Sequence, residues 1–99
     1  MTRLEMLAWL ESRRPAPPAV LRASVEAAVT DSDAALPDHL AALGRALLAR
    51  VAASPQTGRE LALDLLAADA FVTYAFEAQA EADVDGLAAL AERVAGDPR

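Results

Sequence analysis

The sequence predicts an all-α protein: a small bundle of about five helices forming a single domain over residues 1–99. Three observations carry this prediction. Hydrophobic residues make up 55% of the 99-residue chain, yet aromatic residues are only 4% of it and isoleucine is absent. Most of the apolar content is alanine and leucine, which favour helix, while residues that favour strands are scarce. Apolar residues also recur at three- and four-residue spacing, and each such run is bounded by capping residues or proline.

Taken in chain order, Thr2 with Glu5 three residues on has the spacing of a capping box. It opens a helix over about 2–12, with Leu4, Met6, Leu7 and Leu10 on one broad side. The run RRPAPP ends it, because each proline disfavours helix in the residue before it. Pro18 suits a helix start, and a second helix follows over about 18–30 with a narrow stripe of Leu21, Ser24, Val25 and Ala28. TDSDAALPD breaks the chain again. A third helix is expected over 37–53, where Leu40, Leu43, Leu47 and Val51 fall on one face. Gly44 lies on that same face. Glycine in a helix interior costs about 1 kcal/mol relative to alanine, so its presence predicts close approach by another helix. After SPQTG, Thr57 and Glu60 again have capping-box spacing. The fourth helix runs over about 57–82, and a fifth from Asp83 or Asp85 to about Ala95, with Leu87, Leu90, Ala91 and Val94 on its inner face. The short breaks predict antiparallel neighbours.

The fourth helix raises the main question. On a helical wheel Leu61, Leu65, Val72 and Phe76 share one side, Leu63 and Tyr74 lie roughly opposite, and Leu66 and Phe71 fill other sectors. A helix apolar nearly all round is expected to be mostly buried. Its polar exceptions are Asp64 and a thin line of Asp69, Thr73 and Glu77. A helix of this length spans roughly 39 Å at 1.5 Å per residue, whereas a domain of this size has a radius of gyration of about 13 Å. Four shorter helices are too few to cover it. A second copy of the chain would cover the remainder, so a homodimer is expected. Trp9, Leu61, Leu65, Val72, Tyr74 and Phe76 are the candidate interaction or dimer surface, although for Trp9 a core position is the favoured reading.

Charge narrows the partners. The net charge is −6, which disfavours nucleic acid and anionic lipid in the absence of a basic patch. Arg13-Arg14 is the only basic doublet. The segment LLARVAASPQTGRELALDLL resembles a helix-turn-helix, which would imply base contacts from Gln56, Thr57 and Arg59. The acidic balance and the apolar second helix weigh against that. The longest apolar stretch, Leu61 to Phe76, is interrupted by Asp64, Asp69 and Thr73, and falls short of the ~20 residues of a membrane span. With no signal peptide visible, the expected location is the cytoplasm. Lysine, asparagine and isoleucine are all missing. Their codons are AT-rich, so the composition points to a high-GC, bacterial genome.

No catalytic constellation stands out, and no cofactor or metal is expected. His39, the only histidine, sits in the first turn of its helix off the leucine face and reads as a surface residue. Asp69, Thr73 and Glu77 read as a polar line rather than a cation site, which needs several oxygens at one point. Cysteine is absent. Glu77, Glu81, Asp83 and Asp85 crowd a helix C-terminus, where the dipole favours cations. Either the aspartates cap the next helix, or arginines such as Arg13, Arg14 or Arg93 neutralise the cluster. The leading expectation is a non-enzymatic protein acting through self-association and protein–protein contact. The alternative is a module for a small apolar ligand held around Phe71, Tyr74 and Phe76.

Overall fold

The computed structural model describes residues 1–55 and 57–96. Five α-helices follow one another, α1 Arg3–Glu11, α2 Ala19–Ala28, α3 Leu36–Ala53, α4 Arg59–Ala82 and α5 Leu87–Ala95, with a single 3₁₀ turn, Val84–Gly86, before α5. No strand occurs among the described residues. The chain is all-α, as its alanine- and leucine-rich composition requires.

Most helix ends follow the local chemistry. Thr2 and Glu5 form the full capping box: Thr2 Oγ1 accepts from the Glu5 amide at 3.2 Å, and Glu5 Oε1 accepts from the Thr2 amide at 2.8 Å. Hydrogen bonds from the Thr2 backbone and side chain hold the Glu5 carboxyl below its ordinary range. Pro18 stands at the cap of α2, and its carbonyl accepts from the Arg22 amide. Asp83 accepts from the Asp85 amide at 3.1 Å and so opens the 3₁₀ turn. The predicted Thr57–Glu60 box does not form. Gly58, at φ 120°, is the capping residue of α4 and no side chain caps that end. Only glycine adopts that conformation readily, so the turn is made one residue later than Thr57 would make it.

The helices are tied in a fixed order. Arg50 pairs with Asp64 at 3.5 Å, and Gly44 lies against Ala68 and Val72. Numbers rise along α3 as they fall along α4, so the two form an antiparallel hairpin. Arg3 of α1 donates to the carbonyls of Val29 and Glu26 at the end of α2, while Glu11 pairs with Arg22 near its start. That makes α1 antiparallel to α2. Trp9 meets Tyr74 and Arg13 meets Glu81, which places α1 parallel to α4. Arg93 pairs with Asp38 at 2.7 Å, and Gly96 lies near the Arg45 guanidinium, so α5 runs parallel to α3.

The core gathers Met6, Leu10, Val25, Val29, Leu40, Leu47, Phe71 and Leu90 around a row of small residues on α4, Ala67, Ala68, Ala75 and Ala78. Small side chains let neighbouring helices approach closely, and the larger ones fill the space around them. Two expectations change. Leu4 is 77% exposed, because α1 seats on Met6 and Leu10 and Leu4 lies on the far side of the helix. His39 is only 7% exposed. Its Nε2 lies 3.0 Å from the Thr30 carbonyl, which can only accept, so Nε2 carries the proton. The α2–α3 connection folds back over the first turn of α3 and covers the ring.

At 24 residues α4 is about 36 Å long, close to the longest dimension of the molecule, 38 Å. It is buried over only part of that length. Buried residues end at Leu47 on α3 and begin at Ala67 on α4. The loop-proximal half of the hairpin therefore projects beyond the other helices.

Candidate interaction surface

Where α3 and α4 leave the bundle, an open apolar groove runs between them. It is lined by Gly44, Arg45 and Leu48 of α3, by Leu65, Ala68, Asp69 and Val72 of α4, and by Val94 of α5. Its volume is about 270 Å³. The sequence dictates its shape. Gly44 leaves the floor low, and Leu48, one turn on at four residues' spacing, points to the same side. On α4 the steps Leu65, Ala68, Asp69, Val72 follow the three- and four-residue period that keeps one flank of a helix together. Helix α5 covers the seam from the Asp38 end and stops at Ala95, so Val94 is the last side chain above the groove.

Leu48 is 50% exposed and Leu65 is 47% exposed. Leu66, pointing away around α4, is exposed as well. These are large apolar side chains outside the core, and a cluster of them on one helix pair is less ordinary than the same number scattered. Arg45 and Asp69 edge the groove, one on each helix. Among the described residues neither has an ion-pair or hydrogen-bond partner.

The predicted surface residues divide between two faces. Leu65 and Val72 line the groove. Leu61, half-buried, precedes them by one turn on the same side, and Phe76, also half-buried, packs against the core one turn beyond Val72. Trp9 and Tyr74 belong to the opposite face. Their rings meet edge to face, centroids 6.2 Å apart and planes at 90°. Arg13 Cζ lies 4.2 Å from the centre of the Trp9 ring, and its Nη1 donates to Glu81. Burial pushes the Tyr74 hydroxyl above its ordinary pKa, and the nearby Glu77 charge adds to that. Arg13 and Tyr74 also line a depression of about 90 Å³ with Leu10, Arg14 and Arg22.

Asp69, Thr73 and Glu77 do not act as one unit. Asp69 edges the groove, Thr73 is exposed, and Glu77 is half-buried near Tyr74, because a step of four residues drifts about 40° around a helix. Phe71, Tyr74 and Phe76 do not converge either: Phe71 is fully buried in the core, while the other two lie on opposite flanks of α4. At the acidic end of α4 both explanations operate. Asp83 caps the 3₁₀ turn, and Arg13 neutralises Glu81. Arg14 instead donates to the carbonyls of Glu11 and Arg13.

Leu48 and Arg45 are groove residues that sequence reasoning did not single out, and Val94, expected on the inner face of α5, stands at the groove's edge. The four-residue step from Gly44 to Leu48 was the available signal. The helix-turn-helix resemblance gains no geometry, since α3 and α4 pack antiparallel rather than crossing at the steep angle of that motif. Gln56 lies outside the described residues. Among the described residues no group of three His, Asp or Glu side chains is placed to share a metal ion, and no helix is long and apolar enough to cross a membrane. Comparison with known proteins finds no matching family model, curated protein or solved structure.

Proposed function

We propose that this protein acts through self-association, with the bare half of the α3–α4 hairpin as the contact surface and a second copy of the chain as the partner. The observation that carries the reading is the groove in which Leu48 and Leu65 stand half-exposed beyond the last buried residues of their helices. Burying such side chains is favourable by about 25 cal/mol per Å² of apolar surface.

Two further facts support a second copy. The chain exposes 6208 Å², whereas a folded monomer of 10.4 kDa exposes about 5,400 Å². The groove itself carries one cation, Arg45, and one anion, Asp69, and thus no net charge, on a chain of net charge −6. Two such faces meet without the repulsion that their total charge would otherwise impose.

Sedimentation equilibrium tests this. The wild type should associate in the micromolar range, and L65E should be monomeric with unchanged helix content. A wild type that sediments at the monomer mass up to about 100 µM, where even a weak interface of roughly 6 kcal/mol would show, overturns the proposal.

A further inference from the structure

We infer that the depression lined by α1, the following connector, α2 and Tyr74 binds a short-chain monocarboxylate, with Arg14 gripping the anion. The site shares no residue with the α3–α4 groove and stands independently of self-association.

The guanidinium groups around the depression are unequally committed. Arg13, Arg14 and Arg22 all line it, together with Glu11 and Glu26. Arg22 spends Nε on Glu26 at 3.1 Å and Nη2 on Glu11 at 3.4 Å. Arg13 pairs with Glu81, which does not line the depression. Among the described residues Arg14 has no carboxylate partner. Its Nη1 alone is engaged, donating at 2.7 Å to the carbonyls of Glu11 and of Arg13. Nε and Nη2 are left, and that edge of the planar fork meets both oxygens of a carboxylate at once. The two bonds from Nη1 restrain the side chain beforehand, so less freedom is lost when a ligand binds. The Glu11 side chain is 70% exposed, and solvent screens much of its charge.

The rest of the lining fits the remainder of such a ligand. The Tyr74 ring is held edge-on to Trp9, and among the described residues its hydroxyl has no hydrogen-bond partner. It is thus a second donor at the site. Leu10, Val25, Ala16 and Pro17 supply apolar surface. The volume of about 90 Å³ is roughly three times the ~30 Å³ share of a water molecule in the liquid, which suits a ligand of a few heavy atoms. Inorganic phosphate would leave the apolar lining unmatched and bring a second negative charge beside Glu11 and Glu26. A single carboxylate on a short alkyl group matches both kinds of surface.

The test is an NMR titration of the ¹⁵N-labelled full chain with sodium propionate, with sodium chloride holding the ionic strength constant. Amides of Arg14, Ala16 and Val25 should shift saturably with a Kd of about a millimolar, a scale that five heavy atoms can reach. R14Q should raise that Kd about tenfold or more, because a charge-assisted pair of bonds is lost. R14K, which keeps the charge but not the fork, should fall between R14Q and the wild type. Y74F should weaken binding about threefold, the effect of one neutral hydrogen bond. Propionamide, similar in shape and uncharged, should give no saturable shift. Circular dichroism of each variant verifies folding, and Y74F decides if R14Q folds poorly.

Shifts that remain linear in propionate up to about 100 mM would overturn the site. So would wild-type affinity in both R14Q and Y74F, or equal binding of propionamide. Tighter binding of inorganic phosphate at the same amides would overturn the assignment to a monocarboxylate. None of these results bears on whether the wild type self-associates.

Discussion

Gly44 of α3 is seated against Val72 of α4: a methyl group placed at Gly44 would lie 2.9 Å from Val72 Cγ2. The same methyl would also come within 3.1 Å of the Ala68 carbonyl oxygen and 3.3 Å of Phe71 Cβ. The glycine therefore sets how near the two longest helices approach.

Gly44→Ala should destabilise the fold. Alanine gains about 1 kcal/mol of helix propensity, but overpacking a close helix contact costs typically 1–3 kcal/mol. Val72 can turn its side chain, whereas the Ala68 carbonyl belongs to a helix backbone and cannot give way alone. A net loss of about 1 kcal/mol corresponds to a fall in Tm of roughly 4–8 °C. Thermal unfolding followed by circular dichroism checks it, and an unchanged or raised midpoint would show that the hairpin yields without penalty.

His39→Ala should cost about 1–3 kcal/mol, through the lost hydrogen bond to the Thr30 carbonyl and the space left under the α2–α3 connection. His39→Gln, which can place an amide N–H near the same carbonyl, should recover part of it. Urea unfolding of the two variants beside the wild type measures the difference. Equal losses for both would assign the effect to packing alone.

The helices were legible in the sequence because their periodicity and their breaks agree. Thr2, Pro18 and Asp83 mark element starts within a residue or two of where they occur. The meaning of Gly44 was legible too, since an unfavourable residue on an otherwise leucine-rich face needs a packing reason. What could not be read was which side of each helix meets which neighbour. Leu4 and Leu10 are equally apolar, but only the docking direction of α1 buries one and exposes the other. His39 was assigned to the surface because the wheel of α3 alone puts it off the leucine face, yet a loop from the preceding connection covers it. The groove depends on where α5 stops in space, and the residues Leu48 and Val94 that reveal it lie far apart in the chain.

The contact of Arg13 with Trp9 and Glu81 should make α1 docking sensitive to acid. The hydrogen bond from Arg13 is the main cause that holds the Glu81 carboxyl below its ordinary pKa; desolvation opposes it, and the Arg13 charge and a Trp9 hydrogen bond reinforce it. A carboxyl depressed on folding favours the folded state above its unfolded pKa, and that contribution is lost as pH falls through the lower folded value. Fluorescence of Trp9, the only tryptophan, should therefore change in the acid range just below the ordinary carboxylate pKa. E81Q should lack that component. An identical acid profile in E81Q would mean that another carboxyl governs the ring.

The unequal cover along α4 has a dynamic corollary. From Ala67 to Ala78 α4 carries the buried residues of the core, so a collective opening of the domain is needed to free the amides there for exchange with solvent. Ahead of Ala67 α4 has no buried residue, so the amides there are released by separation of the two helices at the hairpin tip. One uninterrupted helix is thus divided into a slowly exchanging anchor and a rapidly exchanging end, and the latter has the freedom to adjust its side chains to whatever it meets.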